Sequence, residues 1–298
     1  MTSVSRYCLT RSGTNIHYSC AGSQQGRLAL LLHGLGGSTA TFQRLLPSIP
    51  SDYQIVSVDI EGFGKSALNP ETPLSFARYV ADLHDLITHL QEHSPTLAIE
   101  DAAGNSSSSS SSNSRASDNG NVLLIGHSLG GIISLHYAAS YPGKVAGLLL
   151  LGVGRSIKGI PPAQQRMRDL AKAAREKGMK VVGEIAIATN LPADRENEVA
   201  HLQEVRDAVA SCSAEAYAAT AEVLASDDHL DPEYGLIKCP AVFVAGDKDV
   251  ISPPQRSKDI SSLLGGPAEV VVVRSGHQMI LQDLKGVQIA LTRLLAML

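Results

Sequence analysis

A ten-residue stretch near the middle of the chain constrains the fold more than any other part of the sequence. Residues 122–131 read Val-Leu-Leu-Ile-Gly-His-Ser-Leu-Gly-Gly, and a helix-compatible stretch, 132–141, follows. The apolar run predicts a buried strand, and the glycine-flanked serine predicts a sharp turn into a helix. Such a turn brings backbone segments so close together that only glycine fits beside the serine. The pattern G-x-S-x-G therefore predicts that Ser128 stands clear of a sheet, as a nucleophile does.

The start of the predicted helix adds an electrostatic reason for chemistry at this turn. Backbone N–H groups at a helix N-terminus point outward and favour a negative charge that develops nearby. The simpler alternative is an ordinary strand-to-helix turn that happens to contain glycine and serine. The rest of the chain has to decide between these two interpretations.

Composition limits the classes of protein to which the chain can belong. With 298 residues, 44% hydrophobic and 18% charged, it is long enough for one large domain or a domain with an inserted subdomain. The net charge of −4 argues against broad affinity for nucleic acid or an anionic membrane. The first residues lack an apolar leader, and no run approaches the roughly 18 apolar residues of a membrane helix. We therefore expect a soluble, cytoplasmic protein.

The cysteines give no sign of a disulfide framework or a metal site. Cys8, Cys20, Cys212 and Cys239 are scattered and show no C-x-x-C spacing. Reduced thiols of a cytoplasmic chain are the simplest interpretation. A disulfide between Cys8 and Cys20, across a predicted hairpin, is the alternative. His89 and His93 have i, i+4 spacing, but no further ligand supports metal binding, so a solvated helix face is expected.

Alternating apolar runs and amphipathic stretches predict an α/β protein with a mostly parallel sheet. A hairpin is expected at the start, and continuous apolar runs indicate later strands that are buried on both faces. The strands predicted after the hairpin are 28–32, 54–58, 122–126, 145–151, 241–245 and 269–273, and 28–32 is a continuous apolar run. We predict an eight-stranded sheet with helices on both of its faces.

Two segments interrupt the alternation of predicted strands and helices. Residues 101–120 are low-complexity and include seven consecutive serines, so we predict a flexible insertion without a catalytic role. A regulatory phosphorylation tract is the alternative. Residues 156–233 contain amphipathic helical patterns and no convincing strand. They follow a strand end, so we predict a helical lid over Ser128. The predicted domains are therefore a core of 1–155 and 234–298 and a lid of 156–233.

The partners that a serine nucleophile needs follow later strands in a consistent order. A serine requires an adjacent base, and the base requires an orienting acid. His277 comes just after the last predicted strand, and Asp247 and Asp249 come just after the strand before it. We prefer Asp249 because it is set deeper into its loop, whereas Asp247 more plausibly shapes the turn. The order Ser, Asp, His is the one expected for a nucleophile of this type.

A glycine-rich loop after an early strand predicts the remaining part of the site. Residues 33–37 read His-Gly-Leu-Gly-Gly. In hydrolases with this kind of nucleophile, such a loop supplies one oxyanion-binding N–H, and the residue after the nucleophile supplies the other. We therefore predict that the backbones of Leu35 and Leu129 form an oxyanion hole. His33 itself is expected to be a structural hydrogen-bonding residue.

Together these motifs resemble the α/β-hydrolase fold superfamily along nearly the whole chain. The motifs are His33-Gly34-Leu35-Gly36-Gly37, Asp59-x-x-Gly62-Phe63-Gly64-x-Ser66, Gly126-His127-Ser128-Leu129-Gly130-Gly131, Gly246-Asp247-Lys248-Asp249-x-x-x-Pro253 and Gly276-His277. The lid stretches Arg168-Asp169-Leu170-Ala171 and Lys177-Gly178-Met179 look most similar to the branch of 3-oxoadipate enol-lactonases and related lactonases and esterases. Glu61 departs from the pattern, because many members have arginine there, and the chain has no tryptophan.

The resemblance implies a hydrolase without a cofactor or metal that cleaves a small carboxylic ester or lactone. Ser128 would be the nucleophile, His277 the base and Asp249 the residue that orients His277. One alternative is a carbon–carbon bond hydrolase of dienone acids that uses the same triad. Another is a ligand receptor with slow or no turnover. Epoxide hydrolases and haloalkane dehalogenases share the fold but attack with a carboxylate, and Ser128 argues against both. The expected partner is a small molecule, and the oligomeric state is open.

Overall fold

A computed structural model of the protein describes residues 3–92, 121–192 and 199–298, which form an eight-stranded sheet with helices on both faces. The strands are β1 (Val4–Leu9), β2 (Asn15–Gly22), β3 (Arg27–Leu32), β4 (Tyr53–Val58), β5 (Val122–His127), β6 (Val145–Leu151), β7 (Ala241–Gly246) and β8 (Ala268–Val273). The helices are α1 (Phe76–Glu92), α2 (Leu129–Ser140), α3 (Pro161–Lys177), α4 (Met179–Asn190), α5 (Val199–Ala210), α6 (Ala214–Ala225), α7 (Pro254–Ser261), α8 (Met279–Gln282) and α9 (Leu284–Leu295).

The strand order places the loops that carry the motifs along one edge of the sheet. The order is β1-β2-β4-β3-β5-β6-β7-β8. The pairs β1–β2 and β2–β4 are antiparallel, and all later pairs are parallel. The predicted eight-stranded, mostly parallel sheet is thus confirmed. Because the carboxyl ends of parallel strands meet at one edge, the loops after β3, β5, β7 and β8 lie close together.

Successive side chains of the central strands pack alternately into two apolar clusters, one on each face of the sheet. On β3, Leu30 packs into one cluster and Leu31 into the other, and both are completely buried. On β5, Leu124 and Ile125 divide in the same way. Since both faces are covered by helices, these strands read as continuous apolar runs rather than as alternating ones. This rigid centre carries the turn at Ser128.

The four helices α3–α6 lie between β6 and β7, as the amphipathic patterns predict. Helix α3 packs against α6, and α4 packs against α5. On helix α6, Thr220 shares a hydrogen bond with the hydroxyl of Tyr79 on α1, with 3.0 Å between the two oxygens. The helical segment therefore makes direct contact with the sheet-bearing part of the protein. Its assignment as a lid with boundaries at 156 and 233 remains a prediction.

Hydrogen bonds to Asp231 join the two ends of the helical segment, where the chain leaves β6 and where it returns toward β7. The Asp231 carboxylate accepts hydrogen bonds from Arg155 Nε and from the Ser156 backbone, both at 2.8 Å. The Ser156 hydroxyl also donates to the His229 carbonyl oxygen, and the hydroxyl of Tyr234 donates to Asp231 at 3.1 Å. We refer to Arg155, Ser156, His229 and Asp231 as the basal clasp.

Three further predictions concern the serine-rich stretch, the cysteines and membrane-spanning helices. The serine-rich stretch 101–120 and His93 lie outside the described part of the chain. All four cysteines are free, so the alternative of a disulfide between Cys8 and Cys20 is wrong. Within the described residues, none of the helices combines the length and apolar character that crossing a bilayer requires.

Candidate active site

Ser128 occupies a strained turn between β5 and α2. Its φ angle is 51°, and it is the one non-glycine residue with a positive φ in the described part of the chain. Such a conformation costs a non-glycine residue of order 1–3 kcal/mol and persists only where the surroundings enforce it. A Cβ atom on Gly126 would lie 2.6 Å from the Gly130 carbonyl oxygen, and one on Gly130 would lie 2.0 Å from that of Leu32. The two flanking glycines are therefore steric requirements of the turn.

We expect the change Gly130→Ala to lower the free energy of unfolding by about 3 kcal/mol, because an added methyl group would collide with rigid strand backbone. Urea unfolding would measure the difference. Gly183→Ala on α4 is the matched control, since its Cβ would meet the Arg206 carbonyl oxygen at an ordinary 3.4 Å. That change should raise stability by up to about 1 kcal/mol, the gain in helix propensity. Equal urea midpoints for the two variants would contradict the steric argument.

His277 and Asp249 form a buried hydrogen-bonded pair at the same edge of the sheet. His277 Nδ1 lies 2.7 Å from Asp249 Oδ2, and both side chains are almost completely buried. The other oxygen, Asp249 Oδ1, accepts from the backbone N–H groups of Ile251 and Ser252 at 2.8 and 2.9 Å. Asp249 is therefore held from both sides, and it fixes the orientation of the imidazole.

The surroundings of Asp249 favour the ionised form of its carboxyl group. Burial alone would raise its pKa, but the facing His277 and the hydrogen bonds from His277, Ser252 and Ile251 outweigh burial and lower the pKa below its ordinary value. A carboxyl whose pKa is lowered in the folded state stabilises the protein above its unfolded pKa of about 3.9. That contribution is lost as the pH falls through the folded pKa. Asp249 is thus an anion throughout the neutral range.

Asp247 has a different partner, which settles which of the two loop aspartates faces the histidine. Asp247 Oδ1 accepts a hydrogen bond from the Ser275 backbone N–H at 2.9 Å. It therefore joins the loop after β7 to the loop after β8. This is the turn-shaping role that the sequence suggested, and Asp249 is the residue that contacts His277.

The structure brings His277 to the turn that carries Ser128, through contacts that the sequence analysis did not anticipate. His127 Nε2 lies 2.9 Å from the His277 carbonyl oxygen, and the two rings lie 5.0 Å apart. The Ser128 backbone N–H donates to the Leu151 carbonyl at 2.9 Å, and a Cβ on Gly152, the next residue, would lie 3.1 Å from the His277 ring. His277 therefore stands over the end of β6, beside the turn.

The described contacts include no hydrogen bond between the Ser128 hydroxyl and the His277 ring. In hydrolases such bonds are often long without a ligand and tighten when substrate binds. The backbone N–H of His277 donates to the Asn190 carbonyl at the end of α4, at 2.8 Å. The helical segment thus holds the His277 loop in place from above. The only sequence signal for His127 was its position inside the motif.

The backbone N–H groups of Leu35 and Leu129 are available as donors. Among the described residues, neither group donates to a protein acceptor. The two loops that carry them are joined by a hydrogen bond of 3.1 Å from the Gly130 backbone to the His33 carbonyl oxygen. Leu129 is the first residue of α2, where the helix dipole adds to the attraction for an anion.

His33 holds the glycine-rich loop, in agreement with the structural role expected for it. It is completely buried, and burial lowers its pKa. Its Nε2 accepts from the Ile60 backbone at 3.0 Å, and its Nδ1 lies 2.8 Å from the Gly34 carbonyl oxygen. This neutral ring ties the loop after β3 to the loop after β4. It leaves no free nitrogen for catalysis.

The unusual Glu61 has an internal partner. Its side chain is completely buried, and Arg78 Nη2 on α1 lies 2.5 Å from its Oε1. The Asn69 backbone N–H also donates to this carboxylate at 2.8 Å. The guanidinium of Arg78, on the neighbouring helix α1, therefore faces this buried carboxylate directly. Glu61 thus serves the packing of its loop.

No metal site is evident in the parts of the chain that the structure covers. Within 3–92, 121–192 and 199–298, no group of three or more His, Cys, Asp or Glu side chains comes together in a way that could hold an ion. Arg155, a cation that follows the end of β6, is not available as a free charge. It is ion-paired with Asp231 in the basal clasp.

Solved structures of hydrolases share the fold of this protein over almost its whole length. An esterase from Thermogutta terrifontis superposes with a TM-score of 0.78 at 20% identity and covers 99% of this chain and 98% of its own. The enol-lactonase from Burkholderia xenovorans LB400 gives a TM-score of 0.78 at 19% identity, with 98% and 100% covered. At these identities the likeness establishes the fold.

Sequence comparison supplies the family. A serine hydrolase-like protein of Danio rerio is 30% identical over 131 residues, 44% of this chain. The match spans 32% of the length of that relative, and 39% of the length of a probable serine hydrolase of Drosophila melanogaster. The model of the alpha/beta hydrolase family matches residues 29–287, which include every motif described above. This protein therefore belongs to the alpha/beta hydrolase family.

Proposed function

We propose that this protein is a serine hydrolase that cleaves a small carboxylic ester or lactone through an acyl-serine intermediate. Ser128 is the nucleophile, His277 the general base and Asp249 the residue that orients His277. The backbone N–H groups of Leu35 and Leu129 bind the oxyanion. The reaction needs no cofactor or metal.

The observation that carries this proposal is the buried His277–Asp249 pair beside a strained serine. Asp249 accepts from His277 Nδ1 at 2.7 Å, which leaves the Nε2 lone pair as the basic site of the ring. The ring of His127, the residue before Ser128, donates to the His277 carbonyl oxygen and so joins the two segments. A surface histidine or a helix cap would require none of this burial. The arrangement supplies a nucleophile, a base and an orienting acid in the roles that acyl transfer needs.

The proposed chemistry proceeds in two halves. In the first, His277 Nε2 takes the proton of Ser128 Oγ as that oxygen attacks the acyl carbonyl carbon. The carbonyl oxygen becomes an oxyanion that accepts hydrogen bonds from the two backbone N–H groups. Each such donor typically contributes about a hundredfold or more to the rate. His277 then gives its proton to the departing alcohol oxygen, and Ser128 is left acylated.

In the second half, His277 removes a proton from a water molecule that attacks the acyl-serine. The oxyanion forms again at the same donors, and the proton passes to Ser128 Oγ as the acid leaves. For a lactone the departing alcohol stays attached to the acyl group, so the product is a single hydroxy acid. Asp249 stays ionised throughout and stabilises the imidazolium form of His277.

The names of related proteins agree with this class of reaction without defining the substrate. The structural neighbours are described as an esterase and an enol-lactonase, and two relatives as a serine hydrolase-like protein and a probable serine hydrolase. A human relative, 29% identical over 152 residues, is named epoxide hydrolase 4. Ser128 argues against epoxide chemistry, because epoxide hydrolases attack with a carboxylate. A carbon–carbon bond hydrolase and a slow-turnover receptor remain alternatives, and the cytoplasmic location remains a prediction.

The direct test is covalent labelling together with a substrate panel. The protein would be treated with a serine-directed fluorophosphonate and mapped by peptide mass spectrometry. It would then be assayed with p-nitrophenyl esters, small lactones and dienone acids. We expect one adduct, on Ser128, and loss of esterase or lactonase turnover in proportion to labelling. Turnover of dienone acids alone would favour the carbon–carbon hydrolase, and full activity after complete labelling would refute the serine mechanism.

A further inference from the structure

A cavity of about 90 Å³ opens beside the proposed oxyanion hole. It lies between the glycine-rich loop after β3, helix α5 and the start of α8. Much of its wall is apolar, and the wall residues that matter here are Gly34, Leu35, His127, Val205, Val209 and Met279. A Cβ on Gly34 would lie 3.0 Å from Ser128 Cβ, so the floor of the cavity touches the proposed nucleophile. Ser128 itself does not line the cavity, but its neighbours Gly34 and His127 do, so the cavity adjoins the proposed nucleophile.

The imidazole in the wall of the cavity is uncharged. His127 is almost completely buried, and burial, reinforced by the nearby His277, lowers its pKa to about 3. Because its Nε2 donates to the His277 carbonyl oxygen, it carries its single proton there. His127 therefore offers no positive charge to a ligand at any pH at which the protein would be assayed.

The charged side chain in the wall is a carboxylate. Glu204 on α5 lines the cavity, and its Oε2 lies 2.8 Å from Arg44 Nη2. Arg44 does not line the cavity, and its guanidinium is ion-paired with Glu204. No cation lines the cavity among the described residues.

We infer that this cavity takes an uncharged, alkyl-like part of the substrate, and that Glu204 makes the enzyme discriminate against substrates with a free carboxylate. The inference rests on the proposed function and narrows its substrate class to neutral esters and lactones. An anionic group in the cavity would lose its hydration without gaining a counter-charge, and it would face the carboxylate of Glu204. Burial of an unpaired charge is strongly unfavourable, whereas burial of an alkyl group is favourable.

The test compares two esters of matched shape, p-nitrophenyl 5-methylhexanoate and mono-p-nitrophenyl glutarate. The first ester ends in an isopropyl group, and the second carries a carboxylate at the same position. After subtraction of spontaneous hydrolysis, we expect kcat/KM to be about a hundredfold higher for the neutral ester. Glu204→Gln should reduce this ratio about fivefold by improving KM for the anionic ester, because it removes one negative charge and frees Arg44. Arg44→Gln should increase the ratio, because it leaves Glu204 unpaired.

The matched control is Glu222→Gln. Glu222 is also a carboxylate of the helical segment paired with an arginine, Arg175, and its side chain is 48% exposed against 43% for Glu204. It does not line the cavity, so the ratio should not change. Equal kcat/KM values for the two esters, or an unchanged ratio in Glu204→Gln, would overturn the inference and leave the proposed function standing. Failure to hydrolyse either ester would overturn the inference, and the fluorophosphonate labelling and lactone assays would then decide the proposed function.

Discussion

The change Ser128→Ala is expected to lower kcat for an activated ester by about 10⁴-fold or more, because removal of the nucleophile from a triad leaves only binding and oxyanion stabilisation. The variant should also fail to react with a fluorophosphonate. Steady-state kinetics with p-nitrophenyl butyrate and intact-protein mass spectrometry would measure the two effects. The substitution removes a single oxygen from a partly buried side chain, so the fold should survive.

Ser140→Ala serves as the control, since Ser140 is exposed at the end of the same helix, α2. It should match the unaltered protein in rate and in labelling. Circular dichroism and the thermal midpoint would show that both variants fold. If Ser128→Ala kept more than a small fraction of the activity, the hydrolysis would belong to another group and the proposed mechanism would be wrong.

The change Asp249→Asn is expected to reduce kcat by about 10³- to 10⁴-fold, because an amide cannot hold His277 in the tautomer with a basic Nε2. It also removes the negative charge that stabilises the imidazolium in the transition state. Asn keeps the shape of Asp249 and its hydrogen bonds from Ile251 and Ser252. The loss should therefore appear mainly in kcat, with KM changed much less.

Asp247→Asn is the natural comparison, two residues away in the same loop. Asp247 accepts from the Ser275 backbone and does not face His277 in the described contacts. An Asn oxygen can accept the same hydrogen bond, so the activity should stay within about tenfold of the original. If Asp247→Asn caused the larger loss, the assignment of the two aspartates would have to be exchanged.

Much of the architecture could be predicted because buried parallel strands have a distinctive sequence. β3, β5 and β6 are covered on both faces, so they read as unbroken apolar runs. The turn at Ser128 was predictable because only glycine fits at 126 and 130, where an added Cβ would meet backbone atoms. A steric requirement of this kind determines the residue type at a single position, so the local sequence is enough to predict it.

Contacts between distant segments could not be predicted in the same way. The depth of Asp249 in its loop favoured it over Asp247, but nothing in the sequence indicated that its second oxygen would accept from the backbones of Ile251 and Ser252. The link between His127 and the His277 carbonyl joins residues 150 positions apart. Likewise, no local pattern indicated that Arg78 would neutralise the buried Glu61. Such pairs depend on the packing of whole elements.

The basal clasp has a consequence for how the helical segment relates to the rest of the chain. Because Asp231 binds both Arg155 and Ser156, the segment leaves the sheet and returns to it at one place. The stretch between these anchor points contacts the core again through Thr220 and Asn190, but its two ends are already joined to each other. Evolution can therefore lengthen, shorten or exchange this stretch, and so remodel what reaches Ser128, without rebuilding the sheet beneath it.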